Sequence, residues 1–138
     1  MHKLHIVGLV ETGQGLARHL GFPTANLAPM QGLVIPAAGV YLAATTFEGK
    51  TYPSVMCVAG GKDRSNFKIE VHLIDVQLDL TGKVLDIVAL ERIRDLFPWQ
   101  NEEHTREAVT EDVRQARVYF AEHPVGSIDQ NQTSAEAE

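Results

Sequence analysis

The sequence predicts an all-β fold, a six-stranded Greek-key-like barrel with one C-terminal α-helix. Short apolar or alternating segments recur along the first two thirds of the 138-residue chain, and glycine, proline, aspartate or asparagine separates them. No helix-length amphipathic segment lies between these strands, which argues against a sheet built from βαβ units. A helical periodicity is present only after residue 100.

The strand predictions follow from alternation and from turn residues. Residues 2–10 alternate, with Ile6 and Gly8 on one face, and residues 24–27 form a short extended piece. The next two strands flank the turn Glu48-Gly49-Lys50, whose glycine suits the positive φ of a tight hairpin. The longest predicted strand comes fifth in the chain. The predicted third to sixth strands cover residues 39–47, 51–59, 67–78 and 84–90.

One helix is predicted over residues 101–121. Its apolar positions repeat at helical spacing and form one stripe of Val109, Val113, Ala116 and Phe120. Asn101 is a favourable N-cap, and His123-Pro124 ends the helix. We therefore expect one domain over residues 1–122, followed by a disordered acidic tail over residues 123–138, which contains no lysine or arginine.

Composition excludes several classes of function. The net charge of −6 gives no electrostatic support for binding nucleic acid. No apolar run approaches the roughly 20 residues that cross a membrane, and the N-terminus reads as a strand, not a signal peptide. The single Cys57 lies in an apolar run, where a buried inert thiol is expected. We expect a cytoplasmic protein with no membrane or nucleic-acid partner.

A glycine-rich segment precedes the second strand and contains the first candidate site. Gly13 and Gly15 suit a loop that wraps an anion, and Pro23 stiffens its exit. Thr24 and Asn26, two residues apart in an extended piece, present neutral oxygens on one face. Such oxygens suit a binding site for Mg²⁺. The competing interpretation is a plain glycine-rich turn.

Glu70 is the best candidate for a general base. It lies within KIEVHLIDV, where desolvation would raise the basicity of its carboxylate. The pattern equally allows Glu70 and His72, on one strand face, to point to water. Arg18 lies beside the glycine loop and could bind a phosphate through two hydrogen bonds, or could be an exposed loop charge. The histidines have no zinc-ligand spacing.

The pattern GxGxARxLGFPTANL, over residues 13–27, resembles the signature of the riboflavin kinase family. Further landmarks follow in the family's order, at Gly39-Val40-Tyr41, at EVHLID over residues 70–75 and at DLTG over residues 79–82. Arg92 stands five residues before Phe97, ahead of the C-terminal helix. The resemblance covers about residues 6–120.

This resemblance implies a barrel that phosphorylates the 5′-hydroxyl of riboflavin to give FMN, with ATP as donor and Mg²⁺. It implies that Glu70 is the base and that Thr24 and Asn26 organise the metal. We expect a monomer. The nucleotide is expected to lie against Gly13, Gly15, Arg18, Gly21, Pro23 and Thr24, and the flavin against Arg92, Phe97 and Trp99. Trp99 is equally compatible with helix packing.

In the middle of the chain the sequence departs from the family's usual pattern. Cys57-Val58-Ala59 followed by GGKDRSN stands where the family usually has Asn-Ile-Gly and a stretch with Pro-Thr-Phe. This segment is expected to lie near a substrate. Two alternatives therefore stay open, a non-catalytic paralogue that binds a flavin or nucleotide, and a kinase for a different small alcohol.

Overall fold

The fold is a closed barrel of six antiparallel strands with one helix packed on its outer wall. The computed structural model describes residues 4–11, 24–29, 36–60 and 68–127. Around the barrel the strands follow the order β1-β2-β5-β4-β3-β6, so two connections skip strands in a Greek-key-like manner. The predicted fold class is confirmed. The elements are β1 (Leu4–Glu11), β2 (Ala25–Pro29), β3 (Gly39–Phe47), β4 (Lys50–Ala59), β5 (Lys68–Leu73), β6 (Val84–Arg94) and α1 (Glu102–Glu122).

Alternation along each strand builds the core inside the barrel. In β5 the odd-numbered residues Ile69, Val71 and Leu73 are buried in the interior, and the even-numbered residues face outward. Each large aliphatic side chain that is fully buried stabilises the fold by about 1.5–3 kcal/mol. Among the described residues, the largest of these are Ile6, Met56, Ile69, Leu85 and Ile87. Side chains therefore fill the barrel, and a site is expected on its outer wall or rim.

The β3–β4 hairpin has the tight turn that the sequence predicts. Phe47 pairs directly with Lys50, which leaves Glu48 and Gly49 as the two loop residues. Both have positive φ, 49° at Glu48 and 82° at Gly49. Two consecutive positive φ values match the twist of the flanking strands. Strand β4 begins at Lys50, one residue earlier than predicted.

The predicted lengths of the last two strands are wrong. Strand β5 ends at Leu73, because the backbone turns at Ile74 and Asp75, where Asp75 has a φ of 61°. The Ile74 amide still donates to the Pro53 carbonyl oxygen, in register with the Leu73–Ser54 pair, but Pro53 has no amide N–H to return a bond. Strand β6 runs on to Arg94 and is the longest of the six, since β3 needs a partner along its whole length.

Helix α1 covers the outer wall of β3 and β4. Asn101 is the N-cap, and its Oδ1 accepts a hydrogen bond of 2.8 Å from the His104 amide, as predicted. The predicted apolar stripe is also confirmed, because it forms a second core with outward-facing strand residues. This second core contains Val40, Leu42, Val55, Ile74, Val113 and Ala116, with Cys57, Ile93, Val109, Tyr119 and Phe120 packed against it.

A short 3₁₀ turn follows the helix at Val125–Ser127. The rest of the predicted disordered tail lies outside the described residues, so that expectation stays a prediction. No helix in the described ranges is both long enough and apolar enough to cross a membrane.

Candidate active site

Strand register places two candidate residues, Asn26 and Glu70, in one line across the outer wall. Directly opposite residues on antiparallel strands share a face of the sheet. Asn26 on β2 is opposite Glu70 on β5, and Glu70 is opposite Cys57 on β4. Cys57 is opposite Val40 on β3, which is opposite Arg94 on β6. We call this line of five residues the Glu70 row.

Glu70 lies on the outer wall, partly covered by its neighbours. Its side chain is 18% exposed, and Oε1 is 3.3 Å from the Lys68 ammonium nitrogen. The sequence left two alternatives, a desolvated carboxylate and one that points to water, and the structure places Glu70 between them. It faces outward, as the alternation of β5 requires, yet it keeps little contact with solvent. The carboxylate is therefore shielded and still accessible to a ligand.

Thr24 and Asn26 are two residues apart at the start of β2, and Asn26 is directly opposite Glu70. Thr24 Oγ1 and Asn26 Oδ1 are both buried, and neither has a hydrogen-bond partner within the part of the chain that the structure describes. A buried oxygen without a partner costs about 1–3 kcal/mol. Two such oxygens beside a carboxylate are the kind of donor set that Mg²⁺ prefers. These residues therefore fit the implied metal.

The predicted nucleotide loop cannot be placed in the same way. The residues Gly13, Gly15, Arg18, Gly21 and Pro23 lie outside the described residues. Thr24, the first described residue after this segment, connects it directly to β2.

Arg94 and Asp112 form an ion pair that the sequence analysis did not find. Arg94 Nε is 2.7 Å from Asp112 Oδ1, and Arg94 Nη2 is 2.8 Å from Asp112 Oδ2. The Asp112 side chain is only 4% exposed and that of Arg94 is 26% exposed. One signal was available in the sequence. Asp112 stands three residues after Val109 and four before Ala116, so a carboxylate falls on the apolar stripe of the helix.

The predicted aromatic residues lie in residues 95–100, the β6–α1 connection. The Arg94 guanidinium carbon is 4.6 Å from the centre of the Phe97 ring, a cation–π contact. The Phe97 ring also meets the His104 ring edge to face, at 4.6 Å between centroids. Trp99 is 54% exposed, so it does not pack under the helix. The connection therefore offers exposed apolar surface next to Arg94.

Arg92 is not brought to the Glu70 row. It pairs with Tyr41, whose ring packs in the barrel interior, and a register irregularity between Val40 and Tyr41 separates it from Arg94. Arg92 Nη2 donates to the Ala38 carbonyl oxygen and to Asp95, each at 2.7 Å. These contacts hold the loop before β3. A flavin contact by Arg92 stays a prediction.

Cys57 occupies the middle of the Glu70 row as a poorly ionised thiol. Burial, together with the nearby Glu70 carboxylate, raises the pKa of Cys57 from 9.0 to about 11. Arg94 acts in the opposite direction and Asp112 in the same direction as Glu70. The pKa of the Cys57 thiol therefore depends on charges that lie on either side of it along the row.

The raised pKa of Cys57 predicts slow alkylation. At pH 8 the thiolate fraction should be about 100-fold lower than that of a free thiol whose pKa is 9.0, since each pKa unit is a factor of ten. We expect iodoacetamide to label the folded protein about 100-fold more slowly than the urea-unfolded protein, followed by mass spectrometry. Equal labelling rates would show that Cys57 is neither buried nor affected by its neighbours.

No group of three or more histidine, cysteine, aspartate or glutamate side chains that could hold a metal occurs within the described ranges. The metal donors suggested here are of another kind, since Thr24 and Asn26 offer neutral oxygens, and Asn26 is opposite the Glu70 carboxylate.

Fold and site together define a class of protein, a small closed β-barrel with a carboxylate-and-amide site on its outer wall beside a C-terminal helix. The chain matches the flavokinase (riboflavin kinase) family model over residues 1–120. It belongs to the riboflavin kinase family.

The relatives are longer proteins. The chain is 33% identical over 121 residues to the bifunctional riboflavin kinase/FMN adenylyltransferase of Pseudomonas fluorescens, covering 84% of this chain and 38% of that protein. The Escherichia coli K12 protein of the same name is 32% identical over 122 residues, covering 86% and 39%. The chain thus spans about two fifths of the length of the curated relatives it matches.

Solved structures show the same fold. Riboflavin kinase from Trypanosoma brucei superposes with a TM-score of 0.63 at 18% identity, covering 88% of this chain and 82% of that one. A structure described as a macrolide-efflux protein from Streptococcus pneumoniae has a TM-score of 0.77 at 26% identity, covering 83% and 38%.

Proposed function

We propose that this domain transfers the γ-phosphate of Mg-ATP to the 5′-hydroxyl of riboflavin, giving FMN and ADP. One observation carries the proposal: Glu70 is opposite Asn26, whose buried Oδ1, like the Oγ1 of Thr24 two residues earlier, lacks a partner among the described residues. Membership of the riboflavin kinase family and the names of the bifunctional relatives support the same reaction. Only the kinase reaction is proposed, because the matched residues cover about two fifths of those relatives.

The residues of this chain would divide the work of phosphoryl transfer. Glu70 accepts the proton of the attacking hydroxyl as its oxygen bonds to the γ-phosphorus and the bond to the bridging oxygen of ADP breaks. Thr24 and Asn26 would hold Mg²⁺, which neutralises phosphate charge when bound. Glycines and Arg18 in residues 13–18 would hold the phosphates. Phe97 and Trp99 offer the apolar surface that suits a planar ring.

The direct test is to incubate the purified protein with riboflavin, ATP and Mg²⁺ and to separate the flavins by chromatography. The proposal expects an FMN peak that grows with time and is abolished by EDTA. Bound riboflavin without FMN would favour the non-catalytic paralogue. ADP released only with some other alcohol would favour a different kinase.

A monomeric state and a cytoplasmic location also belong to the proposal, and light scattering would give the mass.

Removing the Thr24 hydroxyl should separate activity from stability. Thr24→Val keeps the side-chain shape and deletes a buried oxygen without a described partner, so the melting temperature should stay unchanged or rise. The rate of FMN formation should fall about 100-fold, because one donor to the metal and phosphates is lost. Calorimetry and the flavin assay measure the two effects.

Thr46→Val is the matched control for this substitution. The Thr46 hydroxyl already bonds that of Thr51 at 2.7 Å, so its loss should cost about 1 kcal/mol and leave the rate of FMN formation unchanged. A Thr24→Val protein that is less stable yet fully active would contradict the assigned role.

A further inference from the structure

Arg94, the last residue of β6, makes contacts with two other parts of the structure. Its guanidinium binds both oxygens of Asp112 on α1, and its Nη1 donates to the Asp95 carbonyl oxygen at 3.1 Å. Its flat face lies 4.6 Å from the centre of the Phe97 ring. One side chain thus joins the end of β6, the β6–α1 connection and the middle of α1.

The burial of Asp112 indicates that this pair does more than add stability. A carboxylate that is 4% exposed has lost most of its hydration, and Asp112 lies among Val109, Val113 and Ala116 on the helix face that meets the barrel. Buried ion pairs are often replaceable by apolar residues without loss of stability, so stability alone does not account for this pair. The two-pronged contact allows only one orientation of the guanidinium plane.

The same arginine stands at the end of the Glu70 row. Only Val40 and Cys57 lie between Arg94 and Glu70 in the register. The Cys57 thiol experiences the charges of Glu70, Arg94 and Asp112 together, which places these groups within electrostatic range of one site. The connection that Arg94 orders therefore begins on the wall that carries Glu70.

We propose that Arg94, held in place by Asp112, is a positioning residue that fixes the β6–α1 connection relative to Glu70 and thereby sets the affinity for the acceptor. The acceptor is a planar aromatic ring system carrying an alcohol. Its identity as riboflavin rests on the proposed function. Arg94 acts through Phe97 and the rest of the connection and takes no proton.

The chain contains a matched control for this pair. Arg117 on the same helix binds Asp75, in the turn after β5, through Nη2 at 2.6 Å and Nε at 3.3 Å. This second pair also ties α1 to the barrel, but it has no contact with Phe97 among those that the structure describes. Arg117→Lys therefore breaks a second two-pronged contact, between exposed side chains, without disturbing the connection. Val113→Ala serves as a second control, because it weakens the helix–barrel core directly.

The first experiment needs no ligand. Trp99 is the single tryptophan of the chain and lies within the connection, so its time-resolved fluorescence anisotropy reports the local order of that segment. Arg94→Lys and Asp112→Asn should each raise the amplitude of the fast component about twofold, since the connection loses its anchor. Arg117→Lys and Val113→Ala should leave that amplitude as in the parent protein.

The second experiment uses the flavin assay. Arg94→Lys and Asp112→Asn should raise the KM for riboflavin about tenfold, while kcat and the KM for ATP change less than about threefold. Neither control should change the KM for riboflavin. If all four variants changed the Trp99 anisotropy and the KM for riboflavin to a similar extent, the proposal would be overturned. The Arg94–Asp112 pair would then serve only to hold α1 against the barrel.

The two experiments distinguish the failure of this inference from the failure of the proposed function. If the parent protein makes no FMN, the function fails, and the anisotropy of Trp99 still tests the anchoring. If FMN forms and Arg94→Lys leaves both Trp99 anisotropy and the KM for riboflavin unchanged, the positioning role is overturned and the kinase function stands.

Discussion

Glu70→Gln is expected to lower kcat for FMN formation by about 1,000-fold, within the range typical of a lost general base. Glutamine keeps the size of the side chain and its place opposite Asn26 and Cys57 but cannot accept the proton. Flavin binding should survive, because the proposed acceptor surface lies in the β6–α1 connection. Fluorescence quenching of riboflavin measures that binding, and single-turnover FMN formation measures the chemical step.

Glu91→Gln is the matched control, since Glu91 is an exposed glutamate on β6 outside the Glu70 row. It should leave both kcat and riboflavin binding as in the parent protein. Full activity of Glu70→Gln would remove Glu70 from the role of base, and loss of flavin binding in that variant would move its role from proton transfer to substrate contact.

Asp112→Leu is expected to lower the free energy of unfolding by about 3 kcal/mol, the low end of the cost of breaking a buried ion pair. The substitution leaves the Arg94 guanidinium, whose side chain is 26% exposed, without its partner at the edge of the second core. The partial exposure of Arg94 keeps the cost from being larger. Urea unfolding followed by circular dichroism measures it.

The double variant Arg94→Met/Asp112→Leu separates the pair's contribution to stability from its role in positioning. Replacing both charges with apolar side chains removes the unpaired cation, so the free energy of unfolding should return to within about 1 kcal/mol of the parent value. The KM for riboflavin should stay raised, because the connection still lacks its anchor. A double variant that is as unstable as Asp112→Leu would show that the pair itself, and not the unpaired arginine, accounts for the loss.

The elements that the sequence predicts well are those with a local cause. The hairpin at Glu48 and Gly49 follows from a turn that needs positive φ, and α1 follows from the spacing of its apolar stripe and from the Asn101 cap. Thr24, Asn26 and Glu70 are each singled out by their motifs, and their roles stay predictions. The register then places Asn26 directly opposite Glu70.

The errors arise where distant partners determine the outcome. Strand β6 extends to Arg94 because β3 pairs with it across the barrel, and the charges around Glu91 and Arg92 conceal that extension in the sequence. Strand β5 ends early because the backbone turns at Ile74 and Asp75, opposite Pro53, which has no amide N–H to extend the ladder. The position of Arg94, and not of Arg92, in the Glu70 row depends on the register irregularity beside Tyr41, which no local pattern contains.

Periodicity, turn chemistry and the motif around Thr24 are properties of neighbouring residues. The amino-acid sequence alone therefore predicts the presence of the six strands and the helix, and it singles out Thr24, Asn26 and Glu70 as candidates. The Glu70 row and the Arg94–Asp112 pair depend on closure of the barrel and docking of α1. Arg94 and Asp112 are 18 residues apart in sequence, and they meet only because the helix packs back over β3 and β4. Contacts of this kind depend on the register between strands and on helix packing, which the whole chain determines together.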